Sequence, residues 1–527
     1  MASNSRAFTW VWAFTAAVAF ILVCGYRVNN GDQEEHLPYV YALLDPSLYP
    51  NDPLVKTQTT EFTVRFYYAH IIAFFGQVFP IEGLVFFLYL LCLTAICAGI
   101  SVLTKAWTRS TELSRLTPFF LVLFNGFTIG GNTLVDIQLT CTVPAVALGV
   151  WSLVYVQQGR PILGGLTAAL SGLFQVLVGI QVGLMGLSWI VSDLTAERNV
   201  RGKGFLFFLI GFIPGLVPVL VPLLSSLQSD LGPMEAARYA WILFDVRNPH
   251  HYLPQVFPSV DFIKSAGLYL FALVLGFRTH KGLVVSRLLP VLSVFLLGAL
   301  VYTIGFVNFQ SHLIGMTQWY KASIWPCLIG FILLVSAVPW PLPWLRMLSK
   351  RWVMWTGLGF AVVLLLVAGN SLSLLPERIS SRYEWGSRPI SARERMHIWI
   401  RTHLPKAAVV LPPPDDDAFL CQAQRSTPVS YKAIVHSSGF MLNWYSRFCA
   451  VYGLEEMKTG QADPLLSRAV SNYERLRDEE VQSPVPIDYR LLMSTDSADF
   501  RQSKENIIHA EPPYYLRPFK PVQNAAE

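Results

Sequence analysis

Residues 8–38 read FTWVWAFTAAVAFILVCGYRVNNGDQEEHLP, an unbroken apolar run followed at once by Asp32, Glu34, Glu35 and His36. The run suits a first membrane-crossing helix, because about 20 apolar residues span the hydrocarbon core. Its short basic start lacks a small-x-small cleavage site, so the helix reads as uncleaved. The acidic stretch then falls at a bilayer surface, and what it does there is the question the rest of the chain has to answer.

Working outward, the whole chain keeps this apolar character. It has 527 residues, 53% hydrophobic and only 14% charged, with a mean hydropathy of +0.43. That is more apolar surface than one soluble core needs, and it predicts several transmembrane helices. The net charge is +6, but the basic residues are dispersed between apolar runs, which speaks for topology signals and against a nucleic-acid partner. Of the seven cysteines, Cys24, Cys92, Cys97, Cys141 and Cys327 lie in apolar runs and none forms a CxxC pair, so no disulfide or metal framework is expected from spacing. Cys421 and Cys449 are left as the one pair open to bridging.

About eleven stretches have the hydropathy of a membrane helix. They are residues 8–26, 81–103, 116–130, 137–157, 161–177, 178–193, 204–225, 263–278, 287–308, 319–338 and 352–372. With that count, Arg6, Lys105/Arg109/Arg115, Arg160, Arg198/Arg201/Lys203, Arg278/Lys281/Arg287 and Arg346/Lys350/Arg351 all occupy alternate loops. Positive loops stay cytoplasmic, so the N-terminus is expected inside, and the loops 27–80 and 226–262 and everything after Leu374 outside. Beyond the last run the composition turns charged near Pro376. The expected architecture is therefore a polytopic α-helical membrane domain over 1–375 and an extracytoplasmic α/β domain over 376–527. In that domain SARERMHIWIRTHLP has helical spacing, AAVVL stops at prolines as a strand does, and TPVSYKA and DYRLLMST read as further strands.

Three outside stretches carry chemistry. A helix entered near Gly31 puts Asp32, Glu35 and His36 at i, i+3 and i+4, with Glu34 directed elsewhere. Two carboxylates and an imidazole on one face suit deprotonation of a hydroxyl, or oxygen ligation of Mg or Mn by Asp32 and Glu35. Acidic residues also complement a helix N-terminus, so this pattern alone leaves both readings open. The second stretch, FDVRNPHHYLPQVFP, places Asp245, Arg247, His250, His251 and Tyr252 together. An arginine with paired histidines suits a phosphate, although a proline-rich surface loop accounts for the same residues. The third, VNFQSHLIGMTQWYKASIWP, holds Gln310, His312, Gln318 and Lys321, with Lys321 either a site residue or snorkelling to the surface. Arg65 lies in TTEFTVRFYYAH, where Phe62, Phe66, Tyr67 and Ile71 could face lipid in an interfacial helix. Asn125, Asn132, Asp136 and Gln138 flank a glycine-rich break, and Asp415–Asp417 follow a strand end, where most acidic runs are merely solvated.

With these motifs in place the chain resembles the GT-C class of integral-membrane glycosyltransferases. The shared features are the acidic motif in the first outside loop, GDQEEHLPYVYALLDPSLYPNDPLV, many helices with several short ones, and a soluble C-terminal part. It is similar to a group of bacterial membrane proteins sharing DPSLYPNDP, R-x-P-H-H-Y-x-P and W-I-R-x-x-x-P…PPP. The resemblance implies an inner-membrane enzyme that takes a sugar from a polyprenyl phosphate and transfers it to a glycan, lipid or protein acceptor. It also implies that Asp32 is the base or metal-holding carboxylate. For Arg247 and the histidines the resemblance offers no counterpart, so their phosphate role rests on chemistry alone. Two other classes fit the same elements: a transporter or flippase of a polar lipid, and a non-catalytic envelope assembly protein.

Overall fold

A computed structural model describes residues 2–29, 31–193, 198–227, 231–337, 390–493 and 507–520. The chain is mostly helical, with a small sheet near its C-terminus. It divides into two compact units: Met1–Arg27, Glu82–Pro222 and Pro249–Arg388 form the first, and Val28–Ile81, Leu223–Asn248 and Pro389–Glu527 the second.

Five helices among the described residues are long and apolar enough to cross a membrane: Ile81–Thr108, Gly202–Leu224, Ser259–Thr279, Lys281–Asn308 and His312–Ala337. Shorter apolar helices cover Thr9–Cys24, Phe66–Gly76, Thr142–Gln157, Pro161–Phe174 and Val176–Val191. These helices make the chain a membrane protein. Of the eleven candidate stretches, five contain such a long helix among the described residues, and a count of eleven is not confirmed. The stretch 116–130 is a 3-10 turn, Thr117–Phe120, running into a four-residue helix, Leu121–Phe124. It continues the helix Thr111–Leu116, and the helical run stops at Phe124, before the glycines Gly126, Gly130 and Gly131, the last two with φ of +83° and +63°. The expected span 352–372 and the boundary near Pro376 lie outside the described residues.

In the first unit glycine sets how closely the short helices pack. A Cβ on Gly165 would overlap the Phe208 carbonyl oxygen, and one on Gly211 would overlap that of Ile162. Backbones in contact at small residues gain dispersion where no hydrophobic driving force exists between helices in lipid. Pro161–Phe174 and Val176–Val191 are joined by the single extended residue Gln175, at φ −146° and ψ 105°.

The second unit is assembled from three separated stretches. Its sheet has strands β1 Val410–Leu411, β2 Tyr489–Met493, β3 His509–Glu511 and β4 Tyr514–Pro518, in the order β1-β2-β4-β3. β1 runs parallel to β2 and the other pairs are antiparallel, with Leu491 opposite Leu516. The helix Ala392–His403 covers the sheet, held at its start by a Ser391–Glu394 capping box, and buries Met396 and Ile400 against Val410, Leu491 and Leu516. TPVSYKA, expected as a strand, is not one. Its backbone groups bond side chains instead: Thr427 N–H donates to Asp52, and the Ser430 carbonyl accepts from Trp444 Nε1.

The DPSLYPNDP motif joins the first loop to the C-terminal stretch. Asp45 pairs with Lys406, the Tyr49 hydroxyl donates to Leu420 O at 2.8 Å, and Asp52 accepts from Thr427 N at 3.1 Å. Asp52 also caps Pro53–Thr60 by accepting from Leu54 N and Val55 N. Burial pushes its carboxyl up to about 6, and those backbone donors oppose the shift.

Candidate functional site

The site in the second unit is built on the helix Gln33–Leu44, which begins after Asp32 as the sequence suggested. Its environment separates the acidic residues that periodicity had grouped. Asp32 is N-terminal to the helix, and its side chain is 65% exposed. Glu35 and His36 are buried. Burial drives the His36 imidazole down to about 4, against the pull of Asp32, so it is neutral at ordinary pH and packs 5.2 Å from the Tyr68 ring. Glu34, also buried, has one carboxylate oxygen accepting from Leu420 N at 3.3 Å. Burial first and Asp416 second hold its carboxyl well above the ordinary range.

Glu35 is enclosed by arginines. One of its oxygens is bonded by Arg65 Nη2 and the other by Arg247 Nη2 at 3.4 Å. Both guanidinium groups are themselves buried. Arg65 occupies the N-terminal cap position of Phe66–Gly76 and donates to Ile434 O at 3.0 Å. Arg247 ends a π-helical segment, Ile242–Arg247, donates to Lys432 O at 2.7 Å and to Asn248 Oδ1 at 3.0 Å, and lies 4.9 Å from the Tyr431 ring centre. π-turns inside helices redirect a side chain, which is one reason they recur at functional sites. The preceding helix, Pro233–Trp241, is fixed by Arg238 to Glu456 at 2.9 Å and by Trp241 Nε1 to Gln461 O at 3.0 Å.

Lys432 closes the arrangement. Its carbonyl receives Arg247, and its ammonium stands 3.5 Å from Asp32 Oδ1. Arg65, Arg247 and Lys432 thus adjoin the carboxyl groups of Glu35 and Asp32, and of these Asp32 is turned to solvent. Lys432 and Tyr431 were missed in the sequence because they lie in a segment whose alternation reads as a strand. The fit to a divalent metal through Asp32 and Glu35 is poor: both Glu35 oxygens are taken by guanidinium groups. Among the described residues no group of three His, Cys, Asp or Glu side chains is placed to hold a metal ion.

His250, His251, Tyr252 and Lys321 belong to the first unit. His250 is exposed, and His251 is half-buried with Nδ1 3.1 Å from Gly130 O. The Tyr252 hydroxyl accepts from Gln318 Nε2 at 2.6 Å, and its carbonyl accepts from Tyr302 at 2.8 Å. Asn132 Nδ2 donates to Lys321 O at 3.4 Å. A Cβ on Gly131 would lie 2.9 Å from His250 O, and one on Gly130 3.3 Å from Lys321 N. The glycine-rich break, the His-His stretch and the Lys321 turn therefore meet at two glycines, a convergence no local pattern announced.

Asp415–Asp417, read as a solvated run, contains one buried member. Asp416 pairs with His397 Nε2 at 2.8 Å, and His397 Nδ1 lies 2.9 Å from Gln422 Oε1. Burial raises the Asp416 carboxyl, but His397 and Arg393 together hold it below the ordinary value.

Residues 392–451 match the model of a family described as a domain of unknown function, DUF6798. No curated protein matches the sequence. Among solved structures the chain is similar to the crystal structure of the Archaeoglobus fulgidus oligosaccharyltransferase in complex with zinc and sulfate. The identity is 12% and the TM-score 0.40, over 92% of this chain and 68% of that one.

Proposed function

We propose that the protein is a membrane glycosyltransferase that moves a sugar from a polyprenyl-phosphate donor to an acceptor hydroxyl on the extracytoplasmic face of a bacterial inner membrane. The observation that carries the reading is the pair of buried guanidinium groups, Arg65 and Arg247, gathered by Glu35, with the solvent-facing carboxylate Asp32 joined to them through Lys432. The motif resemblance to GT-C enzymes points the same way.

The chemistry follows from charge. The acceptor oxygen attacks the anomeric carbon, its proton passes to Asp32, and the bond from that carbon to the phosphate oxygen breaks with its electron pair staying on the phosphate. Negative charge grows on the leaving group, and cations fixed in advance stabilise that state more than the ground state. Arg65 and Arg247 supply the fixed cations in this scheme. Glu35, occupied by both arginines, acts as a positioning residue and not as the base. His36, neutral and buried, supports the helix.

The test is direct. Asp32→Asn is expected to lower transfer by about 100-fold or more, the usual contribution of a general base. Arg247→Ala is expected to accumulate unreacted lipid-linked sugar. Both variants are measured in membranes at a temperature below each variant's own melting transition, so that the folded protein is assayed. Wild-type product levels in both would remove the proposal.

A further inference from the structure

The helix Phe66–Gly76 and the turn after it expose apolar surface that neither the core nor the site uses. One side packs inward through Tyr68, Ala69, Ile72 and Ala73. The other presents Phe74 at 67% exposure, Val78 at 76%, Phe79 at 54% and Phe75 at 44%. From Phe66 to Ile81 no residue carries a fixed charge, and His70 is turned onto the ring of Phe66. A patch of adjacent bulky apolar side chains at such exposure marks an interaction surface.

We infer that Phe74, Phe75, Val78 and Phe79 form a hydrophobic foot immersed at the interface of the bilayer, with lipid acyl chains as its occupant. Chain continuity selects lipid over another partner. The membrane-crossing helix Ile81–Thr108 starts one residue after the turn ends, so the chain passes from the foot directly into an apolar span. Glu82, exposed at the start of that helix, marks the headgroup level, and only two residues separate it from Phe79. An apolar face at that depth, without lysines to draw it into water, lies in the interface.

The inference moves the lipid-facing side from where the sequence put it. Of the four residues read as lipid-facing, Ile71 is exposed, whereas Phe62, Phe66 and Tyr67 pack on one another and are only partly exposed, so the lipid side lies nearer the C-terminal end. Arg65 stands at the other end of the same helix. At 1.5 Å per residue these 11 residues span about 16 Å, so the foot ties Arg65 and its Glu35 partner to a fixed distance from the acyl boundary. This geometry holds whatever reaction the protein performs, and its test reads no activity.

The full chain carrying Phe74→Cys or Val78→Cys is labelled with a nitroxide and placed in phosphatidylcholine–phosphatidylglycerol nanodiscs. Collisions with oxygen, which partitions into lipid, are compared with collisions with a water-soluble nickel chelate. The spectrum of the labelled parent chain is subtracted, and exposed Glu479→Cys serves as the aqueous reference. Both foot positions are expected to favour oxygen several-fold and Glu479→Cys to favour nickel, with Phe79→Cys as the substitute should either foot variant fail to fold. Preference for nickel at the foot places it in water and overturns the inference. Protection from both reagents places it against a protein partner or a second copy and overturns it equally.

Discussion

Replacing Glu35 by glutamine removes one negative charge and almost no volume. Arg65 and Arg247 would then remain buried beside a neutral amide, whose oxygen can replace one carboxylate oxygen while its NH2 faces the other guanidinium. Removing one partner of a buried ion pair costs about 3–5 kcal/mol, chiefly because the remaining charge is left desolvated. For a unit of this size that corresponds to a fall in melting temperature of about 6–20 °C. The assay is tryptophan fluorescence of the purified full-length protein during heating in detergent. Two further measurements bear on the reasoning. Arg247→Met should cost less stability in the Glu35→Gln background than in wild type, since the two residues are coupled. Inorganic phosphate should restore part of the loss in Glu35→Gln where chloride at equal ionic strength does not, because an anion of that kind can stand between the two guanidinium groups. A Glu35→Gln variant that melts with wild type would refute the claim that this carboxylate stabilises the two buried arginines.

His36 has a folded value near 4 against 6.5 when unfolded, so the unfolded chain binds more protons between those limits and stability falls as pH drops through that window, by about 3 kcal/mol in all. His36→Phe is expected to flatten this part of the stability profile measured by denaturant titration at each pH. Glu34 behaves oppositely, since its raised folded value gives stability that is complete below 4.5 and lost as pH rises. Glu34→Gln should therefore raise the melting temperature at pH 8 and leave it unchanged at pH 4. In the first unit, Gly165→Ala would press a methyl group onto the Phe208 carbonyl and is expected to cost about 1–3 kcal/mol of overpacking, read as a lower melting temperature in nanodiscs.

Local signals in the sequence located several elements closely. Ser391 and Glu394 mark the start of their helix because a capping box is a contact within four residues. Apolar runs marked the helices 81–108 and 259–279 because burial in lipid needs only length and composition. TPVSYKA was misread because alternation describes which side chains are buried and not where the backbone bonds go. The carbonyls of Lys432 and Ile434 are claimed by Arg247 and Arg65, from 185 and 369 residues away.

The amino-acid order by itself determined that this is a membrane protein, that an acidic helix follows its first apolar run, and that Asp32, Glu35 and His36 recur at helical spacing. Tertiary structure alone decided their different states: Asp32 in water, Glu35 between two arginines, His36 neutral against Tyr68. The physical reason is distance along the chain. Periodicity fixes a direction from the helix axis, but charge state and reactivity depend on what occupies that direction. Here the occupants arrive from 30 and 212 residues away.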